Sequence, residues 1–188
     1  MNKTSDYISY DKVLNKGLTL LKDNKKYTIG FYLIFSINTG LRISDVLQIK
    51  HKDLKSDKLI LNEKKTKKER IITINNVVKK SYSKLVKQLN DNDVSFNDDD
   101  FIFVSQKGSV YKTQSINELL KKVFNSNKLQ ISSHLLRKSF GRRVFENNQE
   151  SEKSLIFLSD IFNHSDVSIT RRYLGIRKEE IENVYLNL

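Results

Sequence analysis

Apolar residues recur along this chain in stretches that alternate between helical and strand-like spacing. Val13, Leu14, Leu18 and Leu21 share one face of a helix that starts at Ser9. Gly17 falls inside it at a small cost in helix propensity. Tyr27 to Asn38 is almost continuously apolar (G-F-Y-L-I-F-S-I) and predicts a buried helix, with Gly40 of the T-G-L-R turn as its terminator. Its aromatics would also suit a strand, but that turn is easier to place after a helix. Arg42 to Ile49 predicts a further helix. Lys58–Asn62 and Arg70–Asn75 carry β-prone residues, among them Leu59, Leu61, Ile71, Ile72 and Ile74, and predict a two-stranded hairpin. More helices are predicted over Asn76–Leu89, capped by Asn76, and over Thr113–Phe124, with Ile116, Leu119, Leu120 and Val123 inward. Phe101–Val104 reads as a short strand or extended segment. Ser132 caps another helix, and Glu152–Phe162 and Asp166–Tyr173 follow. Arg177–Leu188 is amphipathic, with Ile181, Val184, Tyr185 and Leu188 on one face. The pattern predicts an α+β, mostly helical fold with a small antiparallel β-sheet, in one domain over residues 1–188.

The 188 residues suffice for one compact domain with a sizeable core. No apolar run approaches the ~18 residues a membrane span needs, and Met1–Tyr7 lacks the apolar stretch of a signal peptide. There is no cysteine, so neither a disulfide framework nor a thiolate zinc site. The three histidines do not group with carboxylates at metal-ligand spacing. A cytoplasmic protein without a structural metal is the simplest expectation. The net charge of +12 changes the picture more, because it favours a polyanionic partner, nucleic acid first. Lysine-rich surfaces also arise without function, but here the charge is segregated. Lys50–Gln88 holds thirteen Lys or Arg against four Asp or Glu, whereas Leu89–Asp100 holds five Asp and no base. That suggests one basic face and an acidic loop turned away from it.

Candidate chemistry concentrates in the last third. His134 and Arg137 are three apart in S-H-L-L-R-K-S-F-G-R-R and share a helix face. His164 follows Asn163, a residue that tolerates a left-handed backbone and suits a helix-to-helix corner. Tyr173 lies nine residues beyond His164. Such donors suit a phosphate, and a tyrosine hydroxyl can attack one. An isolated H-x-x-R pair is common by chance, and an isolated tyrosine is more often core than nucleophile. Their company changes the odds: Arg42 stands in the apolar segment T-G-L-R-I-S-D-V-L-Q-I, where an unpaired guanidinium would be costly. Asp45, three residues on, is placed to hold Arg42 or a neighbour.

Four segments in order, T-G-L-R-I-S-D-V-L-Q-I, K-T-K-K-E-R-I-I-T-I, H-L-L-R and F-N-H-S-D-V-S-I-T-R-R-Y, resemble the motifs of the tyrosine recombinase (lambda-type phage integrase) family, catalytic domain. Any one is weak; four in sequence, over roughly residues 10 to 180, are specific. The resemblance implies that Arg42 and Arg137 grip the non-bridging phosphate oxygens, that His164 adds a hydrogen bond, and that Tyr173 attacks phosphorus. His134 is the candidate base for the Tyr173 proton, or the cationic surroundings suffice without one; Lys65 is the acid the resemblance implies for the departing 5′ oxygen, with Lys64 or Lys67 as substitutes if the turn slips. Asp45 takes a supporting role. Lys64, Lys67, Lys68, Arg70 and Lys138 are expected toward double-stranded DNA. The implied product is a 3′-phosphotyrosine and a free 5′ hydroxyl, with no metal or other cofactor. A homotetramer on paired sites, with an accessory DNA-bending protein, is implied by the family and by no residue pattern. So is docking of the segment after Tyr173 onto an adjacent protomer. Asn163 replaces the family's usual Gly, and Lys138 stands where another residue is common. The family's N-terminal arm-binding and core-binding domains have no counterpart in these residues, which leaves a fragment or a naturally short recombinase. A non-cutting DNA-binding relative and a type IB topoisomerase-like enzyme are the alternative readings.

Overall fold

A computed structural model describes residues 7–65, 67–126 and 129–188, the side chains of 177–180 excepted. Helix α1 (Tyr10–Leu20) packs antiparallel on α2 (Tyr27–Thr39), which is buried along nearly its whole length. That burial on every side explains why α2 lacks a polar face. The two backbones approach closely at Gly17 and Gly30; a Cβ on Gly30 would lie 2.4 Å from the Leu21 nitrogen. Gly17 therefore serves packing and is more than a tolerated weakness. Gly40 ends α2 in the left-handed region at φ 59°, its N–H donating to the Ser36 carbonyl.

The segment after Gly40 departs from expectation. The helix predicted over Arg42–Ile49 is only the single turn α3 (Ile43–Val46), followed by a 3₁₀ turn at His51–Leu54. Tertiary pairing captures this backbone: Ile102 N–H donates to Ile49 O, His51 N–H to Asp100 O, and Lys52 N–H to Asp98 O. Strands β1 (Lys58–Asn62) and β2 (Glu69–Thr73) pair antiparallel, with Leu59 opposite Ile72 and Leu61 opposite Arg70. The second strand thus starts and ends earlier than predicted, and Ile74 N–H turns instead to Asp57 O. Helix α4 (Asn76–Asp91) is capped by Asn75 and not by Asn76, the Asn75 side chain accepting from Val78 N–H. Phe101–Val104 is not a continuous strand: Phe101 bridges Lys50 and Val104 bridges Val110, with a bend at Ile102 and Phe103 between them.

Helices α5 (Thr113–Phe124), α6 (Ser133–Asn147), α7 (Glu152–Phe162), α8 (Val167–Leu174) and α9 (Ile176–Leu186) complete the order. Ser132 is at the α6 N-cap without a side-chain bond; the Asn117 side chain accepts from Ser133 N–H instead. Two apolar clusters form. The larger gathers α1 to α5, the hairpin and the start of α6 around Phe31, Phe35 and Phe103; the smaller joins Phe145, Leu155, Leu158, Phe162, Leu174 and Ile176. α6 runs through both: Leu135 and Leu136 belong to the first and Phe145 to the second. The candidate site lies along the seam between them.

The acidic loop does not stand apart from the basic segment. Asp98 pairs with Lys55, and Asp99 with Lys50 and Lys52. The charge segregation along the chain is partly undone in space. His51 is buried, within 2.9 Å of the Tyr82 hydroxyl and stacked on Phe96, so one of the three histidines is accounted for by packing.

Candidate active site

Arg42 occupies the position before α3, in extended conformation, because α2 has just been stopped at Gly40. Its Nη1 donates to Glu63 at 2.8 Å and its Nη2 to the Phe162 carbonyl at 2.9 Å. Arg137 reaches the same carbonyl at 3.0 Å from α6, and the Gly40 carbonyl at 2.6 Å. Two guanidiniums therefore converge on one oxygen at the C-terminal end of α7, where the partial negative charge of the helix end offsets their repulsion. The Phe162 ring lies 4.4 Å from the Arg137 guanidinium carbon. Arg137 is only 5% exposed, and burial draws its pKa down to about 10, which leaves it charged at neutral pH.

α7 ends with Asn163 at φ 51°, with His164 N–H donating back to Ser159 O. This closure is the physical reason an Asn serves where the family usually has Gly. It sets His164 beside α8, where its Nδ1 lies 2.8 Å from the Thr170 hydroxyl. When Nδ1 accepts that hydroxyl hydrogen, Nε2 keeps its proton and can donate to a phosphate. Loss of water around the ring, then Arg137, Arg42 and Lys65, push the His164 pKa down to about 4. The ring is neutral at physiological pH.

Tyr173 projects from α8 against His164, Phe162 and His134, at ring separations of 5.6, 5.5 and 6.4 Å. Its hydroxyl donates to the His134 backbone carbonyl at 3.3 Å and not to the His134 imidazole. Burial pushes its pKa up to about 12, against the opposing pull of Arg137 and Arg42. The nucleophile is held protonated. His134 is exposed at the surface, yet its pKa is lowered, first by desolvation and then by Arg137, Lys138, Arg42 and Lys65. It is neutral, as a base must be.

A cavity of about 280 Å³ opens between these elements, lined by Arg42, Lys65, His134 and Arg137 together with Ser44 and Ser133. Lys65, Lys64, Lys67 and Lys68 are all exposed on the turn between the strands, and of these Lys65 lines the cavity. Lys68 reaches Asn163 at 3.4 Å. Two expectations change. Lys138 is 5% exposed, its Nζ 5.4 Å from the centre of the Tyr173 ring, so it is not presented at the surface as a further phosphate contact. Arg70 is half-buried and paired with Glu63 at 3.0 Å. Asp45, 2% exposed, supports a neighbour and not Arg42: it accepts from Lys64 N–H at 2.9 Å.

Sequence reading missed Glu63, whose side chain is 4% exposed between Arg42 and Arg70. Surrounded by lysines in N-E-K-K-T-K-K-E-R, it looks like an ordinary surface residue. Its position at the end of the first strand, one before the lysine run, was the available signal. The Phe162 carbonyl was equally invisible, being backbone. No group of residues that could hold a metal ion occurs among the described residues.

A bound phosphodiester would meet two permanent charges, a neutral imidazole donor, an exposed lysine and a half-buried phenol in one place, the equipment of a strand-transferring enzyme with a tyrosine nucleophile. The chain belongs to the phage integrase family, whose profile matches residues 12–180. It is 32% identical over 178 residues to the probable integrase/recombinase YoeC of Bacillus subtilis, covering 94% of this chain and 92% of that protein. To the tyrosine recombinase XerC of Leptospira interrogans it is 25% identical over 98% of its own length, but spans only 56% of that relative. In fold it resembles the XerH site-specific recombinase bound to a palindromic difH substrate (TM-score 0.72, 18% identity, 98% of this chain and 53% of that one). A lambda integrase dimer bound to a COC′ core site is also similar (TM-score 0.61, 15% identity, 93% and 61%).

Proposed function

We propose that this protein is a site-specific DNA recombinase that cuts and rejoins double-stranded DNA through a 3′-phosphotyrosine intermediate. The observation that carries the reading is the convergence of Arg42, Arg137, His164 and Tyr173, beside a cavity lined by the two arginines together with Lys65 and His134. Arg42 and Arg137 grip the non-bridging oxygens, and His164 donates a further hydrogen bond. Preorganised donors of this kind each contribute on the order of 10²–10³ in rate. Tyr173 Oη attacks phosphorus as its proton passes to His134, which only a shift of the hydroxyl away from the His134 carbonyl allows. The P–O5′ bond breaks and Lys65 protonates the departing oxygen. Phosphate ester chemistry is conserved in the phosphotyrosine, so a 5′ hydroxyl of another strand reverses the step without ATP.

The family membership and the DNA complexes among similar structures support double-stranded DNA as the partner. A homotetramer on paired sites, an accessory DNA-bending protein and a cytoplasmic location in a bacterium or mobile element complete the reading. No helix among the described residues is long and apolar enough to cross a membrane.

The test is covalent capture. The protein is mixed with sheared, nicked DNA from its source, quenched in detergent, and the linked fragments are sequenced. Fragments sharing a short near-palindromic motif, lost with Tyr173→Phe while binding persists, are expected. Linkage by the Phe variant would sink the mechanism. Linkage without any shared motif would point to a topoisomerase-like activity.

A further inference from the structure

Glu63 is a buried carboxylate that the chemistry above does not use. Its Oε2 accepts from Arg42 Nη1 at 2.8 Å and its Oε1 from Arg70 Nη1 at 3.0 Å, so one side chain joins the phosphate-gripping arginine to the second strand of the hairpin. Its backbone closes the lysine turn: Glu63 N–H donates to Lys68 O at 3.0 Å, and Glu63 O accepts from Lys67 N–H at 2.9 Å. The next residue, Lys64, is tied by its N–H to Asp45 at 2.9 Å. Lys65, one position further, lines the same cavity as Arg42. The root of the turn is thus fastened to the arginine segment by two carboxylates, and the exposed Lys65 side chain extends from that root.

A buried ion pair can be mere structure, since a carboxylate out of water needs partners. The geometry here has a consequence beyond satisfaction. Fixing the turn through Arg42 itself makes the reach of Lys65 depend on Arg42 being seated, so that acid and phosphate grip are aligned together. We infer that Glu63 is a positioning residue for strand cleavage, acting through the hairpin root to place Lys65 at the departing 5′ oxygen. This rests on the recombinase reading proposed above.

The chemistry of the leaving group provides the test. An alkoxide needs a proton as it departs, whereas a thiolate is far less basic and leaves without one. Covalent complex formation is timed on a nicked duplex carrying the captured sequence, made once with oxygen and once with sulfur at the bridging 5′ position. Wild type, Lys65→Ala, Glu63→Gln and Glu63→Asp are compared. On the oxygen substrate Glu63→Gln is expected to lose about 100-fold, the scale of a displaced general acid. Glu63→Asp, which keeps the charge and draws the root back by one methylene, is expected to lose less. On the sulfur substrate both are expected within about threefold of wild type, as is Lys65→Ala, the whole deficit being that of the missing proton donor. Equal losses on the two substrates, or no loss on oxygen, overturn the inference, because Glu63 would then act on Arg42, on folding, or not at all. Should Glu63→Gln not fold, Glu63→Asp decides by the same comparison. Failure of wild type to cleave either substrate would instead remove the recombinase reading.

Discussion

At the scale of single residues, the site is a place where loss of water, and then neighbouring cations, have lowered two histidine pKa values. His134 is held below its ordinary 6.5 by desolvation and by Arg137, Lys138, Arg42 and Lys65. At a given pH it is therefore neutral, and able to take the Tyr173 proton, more of the time than a free histidine. The acid limb of the cleavage rate against pH should inflect below 6.5. Lys138→Gln removes one neighbouring cation, raises the His134 pKa and moves that limb upward. A limb that stays in place would exclude His134 as the base. His164 gives a stability prediction with its own sign. Its folded pKa of about 4 lies below the ordinary 6.5, so between those values the unfolded chain binds the extra proton. Stability from this group is complete above about 6.5 and falls as pH drops toward 4. Melting temperatures across that range should decline less steeply in His164→Asn.

At the scale of elements, short connections aim the chemistry. The left-handed cap at Asn163 turns the chain from α7 into the segment that holds His164, and Gly175 at φ 80° stops α8 just after Tyr173. A Cβ at Gly175 would meet nothing nearer than Arg142 at 3.9 Å, so the cost of Gly175→Ala is conformational, about 1–2 kcal/mol. Gly30→Ala is a different case. Its Cβ would press on the backbones of Leu21 and Gly17, and α1 must move away from α2, at a cost of about 2–3 kcal/mol. Urea midpoints at constant slope would order the two variants. A Gly30→Ala protein as stable as wild type would mean that the helices do not cross this closely.

At the scale of the whole molecule, two surfaces bear on assembly. The chain is strongly cationic, and if phosphate contacts dominate, the DNA binding constant should fall linearly with salt on logarithmic axes. α9 leaves Ile181, Val184 and Tyr185 exposed, Tyr185 at 74%, and Leu188 just beyond it is 97% exposed. These side chains contribute little to the isolated fold. Replacing Val184 and Tyr185 by Ser should shift stability by less than about 0.5 kcal/mol. In the proposed tetramer the same change should weaken paired-site complexes while sparing cleavage of a single site. Native gels on one-site and two-site duplexes separate the effects, and an unchanged two-site complex would show that this face plays no part in assembly.

Part of the fold is written in local pattern. Val13 with Leu14 and Leu18, the apolar run of α2, Gly40 as its stop, and Glu152–Phe162 as a helix were legible, because periodicity and capping act within a few residues. The order and spacing of the four motifs were enough for the family, and the structure brings Arg42, Lys65, His134, Arg137, His164 and Tyr173 together. Tertiary structure alone decided the rest. The helix expected after Arg42 ends within one turn, because Asp98–Ile102, some fifty residues on, takes up that backbone's hydrogen bonds. The same contact folds the acidic loop onto Lys50, Lys52 and Lys55, which no count of charge along the chain reveals. Lys138 and Glu63 are charged residues in charged surroundings, and nothing local says that one lies beneath Tyr173 and the other between two arginines. Burial and pairing depend on what arrives from elsewhere in the chain, and that is settled only when the two apolar clusters close along the seam that holds the site.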